Sequence, residues 1–326
     1  MKRLACLAAA LAMTAAPVLA PALAQDKFPS RPVDMIVPWG PGGGADSMSR
    51  TAARLLEPIL GVPIPVTNIS GASGNAGLTR VATNPADGYT AGVLIAITVS
   101  SWATGLGTTR PKDFEVVGFM QNSPSMLFVP KDSPFTSAKE LLEHAKAHPD
   151  KLRVATSGYG SQDDITLRYL ASQGYPMKNV PFAKPAERYA STVGAHTDAI
   201  YEEPGDVAQF VKAGSLRPLL IFEDARHPSF PDVMTSKEMG MQISDMPNFR
   251  TIVVKAGTPP ERVEALRGAL AKVLQSPEWK TFCADTYTCV DKVYTAEESK
   301  AAVQSMYDTV TRYLEQFPQV KQQAAN

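Results

Sequence analysis

Val33-Asp34-Met35-Ile36-Val37-Pro38-Trp39-Gly40-Pro41-Gly42-Gly43-Gly44-Ala45-Asp46-Ser47 passes from an apolar run, through a glycine-rich stretch, to a polar helix start. Residues 33–38 read as a buried strand. Helical periodicity follows over 47–60, through Met48, Ala52, Leu55, Leu56 and Ile59. Asp46 is a suitable N-cap and Gly61 a suitable C-terminal stop. The unit is strand, tight loop, helix, and a second follows it. Residues 63–66 read as a strand, Ser70-Gly71-Ala72-Ser73-Gly74-Asn75-Ala76-Gly77 as its loop, and 78–83 as its helix. Residues 90–99 are apolar enough for a buried parallel strand.

Further along, strands are expected at 125–129, 152–156, 199–201, 217–222 and 251–254, and helices at 137–147, 165–172, 207–213, 261–274 and 296–316. A third polar loop, Ser157-Gly158-Tyr159-Gly160-Ser161, again joins a strand to a helix. This alternation argues for α/β architecture with largely parallel sheets. The units fall into two groups, 33–99 and 125–222, which implies two lobes with a cleft between them. Ligands of open α/β sheets bind beyond the carboxyl ends of the strands.

The 326 residues carry 32 Lys+Arg against 32 Asp+Glu, with 44% hydrophobic and 20% charged residues, so a wholly disordered chain is excluded. Zero net charge gives no electrostatic footprint for nucleic acid. The first residues have the signal-peptide pattern: basic Met1-Lys2-Arg3, an apolar run over 4–19, and an Ala22-Leu23-Ala24 cleavage site. An uncleaved membrane anchor is the alternative. Cleavage after Ala24 removes two bases and no acid, leaving an exported chain with a charge of −2. Cys283 and Cys289 would remain, with five residues between them, in a compartment where disulfides persist, so a local disulfide is expected. Two separate buried thiols are the alternative.

Each of the three loops can aim backbone N–H groups at an anion, aided by the following helix dipole. Ser73, Asn75, Ser157 and Ser161 add side-chain donors. The Walker Lys-Ser/Thr pair is absent from the first loop, and Asp46 at its helix would repel a phosphate, so a small carboxylate fits better than a nucleotide. No G-x-S-x-G occurs. An exported serine hydrolase using Ser73 or Ser161 is the rival class, and no base is placed for it by sequence. His144 and His148 share a helix face but lack the glutamate of a metal motif, and no metal or cofactor is expected. Glu202 and Glu203 are adjacent in a strand and so point to opposite faces, which disfavours joint acid/base work.

The ordered set Phe28-Pro29-Ser30-Arg31-Pro32-Val33, Ile36-Val37-Pro38-Trp39-Gly40-Pro41-Gly42-Gly43-Gly44-Ala45-Asp46, Gly71-Ala72-Ser73-Gly74-Asn75, Asn84-Pro85-Ala86-Asp87-Gly88-Tyr89-Thr90 and Ala256-Gly257-Thr258-Pro259 resembles the substrate-binding proteins of tripartite tricarboxylate transporters, the Bug or TctC family. The resemblance spans nearly the whole mature chain. It implies a two-lobed, type II-like periplasmic binding protein of the Venus-flytrap kind, with a two-strand hinge. Lobe one would be 25–123 plus 249–326, and lobe two 124–248.

It further implies a small organic carboxylate as ligand, a di- or tricarboxylate or an aromatic acid. One carboxylate would be held by Trp39, Gly42, Gly43, Gly44, Ala45 and Asp46 together with Ser73 and Asn75, with Thr98 and Ser100 lining the wall. Thr156, Ser157, Gly158, Ser161 and Asp198 would meet the far end. The implied partners are the large and small integral-membrane subunits of the transporter, served by a monomer in the periplasm. Two segments depart from the family pattern: Pro181-Phe182-Ala183-Lys184-Pro185, where Pro-Tyr-Lys-Gly is usual, and 201–207. Both leave the distal ligand group open.

Overall fold

The computed structural model describes residues 27–244, 246–288 and 293–318. The signal-peptide expectation and Cys289 lie outside them. Cys283 is buried.

The chain opens as its glycines require. Strand β1 (Asp34–Val37) leads through the first loop into helix α1 (Gly44–Leu60). Met48, Ala52 and Leu56 form the buried face of α1, and Gly61 closes it at φ 72° with its N–H on the Glu57 carbonyl at 2.8 Å. Strand β2 (Val66–Asn68), a 3₁₀ turn (Ala72–Gly74) and helix α2 (Asn75–Thr83) repeat the pattern. Strand β3 (Thr90–Ile95) is buried at every residue, as a central strand must be.

The expected strand over 90–99 ends at Ile95, and helix α3 (Ala96–Ala103) begins at the next residue. A continuous apolar run has the same composition in a buried strand and a buried helix, so periodicity does not locate this boundary. Strand β4 (Phe114–Ser123), ten residues long, lies where the sequence reading placed no element, because Glu115, Gly118 and Gln121 interrupt its apolar run.

The first sheet runs β2-β1-β3-β11-β4, with β11 (Asn248–Lys255) returning from far along the chain. The second sheet contains β5 (Met126–Pro130), β6 (Arg153–Thr156), β7 (Lys178–Pro181), β8 (Ala199–Glu202), β9 (Leu216–Ile221) and β10 (Met234–Thr235). Its order is β10-β9-β5-β8-β6-β7. Helices α4 (Ala138–Ala147), α5 (Gln162–Ser172), α6 (Pro185–Val193) and α7 (Ala208–Lys212) connect its strands. Parallel pairs join β1 to β2 and β3, β6 to β7 and β8, and β9 to β10. Each sheet also holds one internal strand antiparallel to both neighbours, β11 in the first and β5 in the second. Both enter from the opposite lobe, without a βαβ crossover to impose parallel direction.

Two chain passages therefore link the lobes, from β4 to β5 and back into β11. Polar side chains stitch them together. Asn248 Nδ2 donates to Ser125 Oγ at 2.5 Å, and Gln162 Nε2 donates to Ser125 Oγ at 3.4 Å and to the Met246 carbonyl.

After helices α8 (Pro260–Gln275) and α9 (Pro277–Asp285), helix α10 (Ala296–Gln316) packs on α3 and β4 of the first lobe and on α5 of the second. Its buried Val303, Met306 and Val310 join one apolar cluster with Leu78 and Trp102 on one side and Ile165 and Leu170 on the other. Each such side chain contributes roughly 1.5–3 kcal/mol by burial. Tyr313 donates to the Gln242 carbonyl at 3.3 Å, and Phe317 packs edge-on against Tyr169 at 5.4 Å.

Candidate functional site

The first loop is braced from within. Gly42, at φ 84°, donates its N–H to Asp46 Oδ2 at 3.1 Å. Asn68 Nδ2 donates to Asp46 Oδ1 and to the Trp39 carbonyl, both at 2.9 Å, and Arg50 pairs with the same Oδ1 at 2.9 Å. Burial raises the Asp46 pKa, but Arg50, Asn68 and the Gly42 N–H outweigh it and hold the carboxyl below its ordinary value. Asp46 is thus a strut of the loop, and the Gly42 N–H is spent on it.

Gly43, Gly44 and Ala45 stand differently. Gly43 is the N-cap residue of α1 and provides no side-chain cap. The N–H groups of Gly44, Ala45 and Asp46 have no intrahelical acceptor. They head a 17-residue helix that faces the second lobe: a methyl group added at Gly43 would lie 3.4 Å from Pro185 Cγ.

The second loop is strained. Gly71, Ala72, Ser73 and Gly74 all have positive φ, at 139°, 48°, 54° and 88°. The left-handed conformation costs roughly 1–2 kcal/mol at each of Ala72 and Ser73. Asn75 holds it in place. Its Nδ2 donates to the Ala72 carbonyl at 2.7 Å and to Ser101 Oγ at 2.9 Å, and its Oδ1 accepts from Trp102 Nε1 at 2.8 Å. Both amide hydrogens are committed to the loop and to Ser101, so Asn75 positions the loop. Gly74 is where two side chains converge. A methyl group there would lie 2.5 Å from Thr98 Oγ1 and 3.2 Å from Trp39 Nε1. Neither atom has a hydrogen-bond partner, though both are buried. Such a group costs about 1–3 kcal/mol unless something satisfies it.

Thr98 and Ser100 do not line one wall. On a strand they would share a face, but on α3 two residues turn the chain by about 200°. The Ser100 hydroxyl instead donates to the Ala96 carbonyl at 3.1 Å.

The second-lobe loop, after β6, is satisfied by its own helix. Asp163 Oδ2 accepts from the Ser157 N–H at 2.6 Å and from its hydroxyl at 2.7 Å. Asp164 Oδ2 accepts from the Gly160 N–H at 2.9 Å. Ser161 caps α5 and donates to the Gly158 carbonyl at 2.6 Å. Thr156 Oγ1 donates to Asn179 Oδ1 at 2.5 Å. Thr156, Ser157 and Ser161 are therefore engaged internally. Gly158, at φ 136°, and Tyr159, 53% exposed, keep open surface. Gly160 abuts the first lobe: a methyl group there would lie 2.8 Å from Thr104 Cγ2.

Asp198 lies at the wrong end of its sheet. It precedes β8, and Val154 pairs with Ala199, so Asp198 is level with Arg153, roughly 10 Å along the strand from Thr156. It accepts from Arg153 Nε and Nη2 at 3.0 and 2.8 Å, a pairing that outweighs its burial and lowers its pKa. It lines a cavity of about 520 Å³ with Phe135, His144, Lys151 and Leu152, beyond the amino ends of β6 and β8.

The sequence reading missed a buried charge cluster between the lobes. Arg250 Nη2, from β11, pairs with Glu203 Oε2 at 2.8 Å and Asp206 Oδ1 at 2.6 Å. Arg188 Nε donates to Glu202 Oε2 at 2.9 Å. Glu202 and Glu203 thus serve different arginines, as strand alternation requires. Burial raises Glu202 to about 7 and Glu203 to about 8, despite Arg188 and Arg250 respectively, with Asp206 adding to the rise. An arginine inside the apolar run Asn248-Phe249-Arg250-Thr251-Ile252-Val253-Val254 was the available signal. Among the described residues, no group of three or more His, Cys, Asp or Glu is arranged to hold a metal, and no helix is long and apolar enough to cross a membrane.

The model of the tripartite tricarboxylate transporter family receptor, TctC, matches residues 48–315. The chain belongs to this family. A UPF0065 protein from the gbd 5′ region of Cupriavidus necator is 31% identical over 274 residues, covering 83% of this chain and 82% of that one. BugT of Bordetella pertussis is 30% identical over 274 residues, covering 82% of each. Among solved structures, MatC from Rhodopseudomonas palustris with bound malate superposes with a TM-score of 0.80 at 25% identity, covering 88% of this chain and all of that one. TctC proteins are solute-binding receptors, not enzymes, so the serine-hydrolase alternative falls.

Proposed function

We propose that this TctC-family receptor captures a small organic carboxylate between its lobes in the periplasm and delivers it to the large and small membrane subunits of a tripartite tricarboxylate transporter. The observation that carries the reading is the head of α1. Its N–H groups lack a side-chain cap and face the second lobe, on a loop whose Trp39 indole converges with Thr98 on Gly74 as a pair of orphaned polar groups. A carboxylate satisfies amides of this kind and is favoured by the helix dipole. The malate bound by MatC supports a di- or tricarboxylate, with an aromatic acid as the other member of the class.

The proposed lobes are 25–123 plus 249–326 and 124–248, working as a monomer. Ligand contacts to both lobes favour the closed form. The Gly158–Tyr159 backbone is the second-lobe surface left to meet the far end. A seat made of main-chain donors, without a dedicated counter-ion, permits release when the membrane subunits part the lobes.

A thermal-shift screen of malate, adipate, citrate and benzoate tests the reading. A ligand at about 1,000 times its dissociation constant adds roughly 4 kcal/mol, and the melting temperature rises by several degrees. If amines or sugars shift it and no carboxylate does, the reading fails.

A further inference from the structure

The head of α1 already has a carboxylate beside it, and it belongs to the protein. Asp206 lies in the turn after β8, in the second lobe. A methyl group added at Gly44 would sit 1.8 Å from Asp206 Oδ1 and 2.6 Å from Arg250 Nη2. The missing side chain at Gly44 is what lets the acid reach the first turn of α1. There Oδ1 accepts from Arg250 Nη2 at 2.6 Å, while Tyr189 donates to Oδ2 at 3.4 Å. Arg250 is anchored in the first lobe, donating from Nη1 to Gln121 Oε1 of β4 at 3.0 Å.

Building on the reading that a ligand carboxylate seats at the head of α1, we propose that Asp206 is a tethered rival for that seat. In the unliganded protein it covers the N-terminus of α1 and, through Arg250, ties the lobes shut. A ligand carboxylate enters by displacing it.

Three features converge on this. The group is of the same chemical class as the proposed ligand. It lies beside Gly44, the first residue of a helix whose N-cap carries no side-chain cap. Its ion pair crosses from one lobe to the other and so resists their parting. After displacement Arg250 still has a polar partner, because Glu203 stays 2.8 Å from the same Arg250 nitrogen. A tethered group competes at an effective concentration of order millimolar or more. A ligand must therefore bring contacts beyond one carboxylate, to both lobes, in order to win. Asp206 is in this sense a specificity-determining residue that screens out simple anions such as acetate.

The test uses Asp206→Asn, which keeps the shape and removes the charge, and Gly44→Ala, which obstructs the contact from the other lobe. Circular dichroism checks that both fold. Small-angle scattering of the unliganded proteins is expected to show a larger radius of gyration for both variants than for the wild type. Titration with malate, adipate, citrate and acetate is expected to show at least tenfold tighter binding to Asp206→Asn, and acetate binding gained. An unchanged radius in both folded variants overturns the proposal, as does unchanged or weaker carboxylate affinity in Asp206→Asn. If no carboxylate binds either protein, the functional reading fails instead, and the scattering still decides whether Asp206 holds the lobes together.

Discussion

The loop after β1 and the loop after β6 are the same device finished in two ways. Each follows a parallel strand, turns on glycines with positive φ and heads a helix. In the second lobe the helix supplies its own anions: Ser161 caps α5, and Asp163 and Asp164 take up the amides of Ser157 and Gly160. In the first lobe Asp46 takes only the Gly42 N–H, and the N-cap is a glycine. A strand–loop–helix unit is therefore an anion site only where its own side chains leave it unfinished. On the proposed reading, this division gives capture to the first lobe and closure to the second.

Arg250→Ala breaks the comparison most severely, because it leaves Glu203 and Asp206 buried without their cation. A loss of about 3–5 kcal/mol is expected in urea unfolding. A loss below 1 kcal/mol would mean that the cluster is hydrated.

Gly43→Asp makes the first loop resemble the second. An acid at the N-cap completes α1 and adds only about a few tenths of a kcal/mol of stability over glycine, while the melting shift given by carboxylates disappears. Retention of that shift would remove the head of α1 from the site.

Thr98→Val separates function from stability. Removing an unsatisfied buried hydroxyl stabilises the unliganded protein by about 1 kcal/mol, and ligand affinity falls. A loss of stability instead would show that the hydroxyl has a partner.

The remaining test is in pH. Burial raises Glu202 and Glu223 to about 7 and Glu203 to about 8. The folded protein then retains protons that the unfolded chain releases, so these groups cost stability as pH rises from about 4.5 to 8. The melting temperature should be lower at pH 8 than at pH 5.5, and Glu203→Gln should flatten that slope. A wild-type protein equally stable at both values contradicts the assignment.

Glycine punctuation around 40–46, 71–77 and 157–161 made the α/β units and their loops legible in the sequence, because tight strand-to-helix turns need positive φ and few residues supply it cheaply. What each loop does with its amides was not legible. That depends on whether an acid two or three residues into the helix folds back, as Asp163 and Asp164 do, and spacing alone does not decide it. Thr98 and Ser100 were paired by family resemblance, and the turn into α3 at Ala96 puts both on a helix, where they do not share a face. Asp198 was placed by family pattern, and only the register of β8 against β6 shows that it sits at the far edge of the sheet.

Helix α10 lies along both lobes, with Tyr313 and Phe317 gripping Gln242 and Tyr169 at its end. A clam joined only by two strands would swing freely, but a rod lashed across both shells turns the swing into a short rocking stroke. On the proposed lobe closure, the mouth would open only as far as those aromatic fastenings slide, which would keep the two halves of the proposed binding surface within reach of each other.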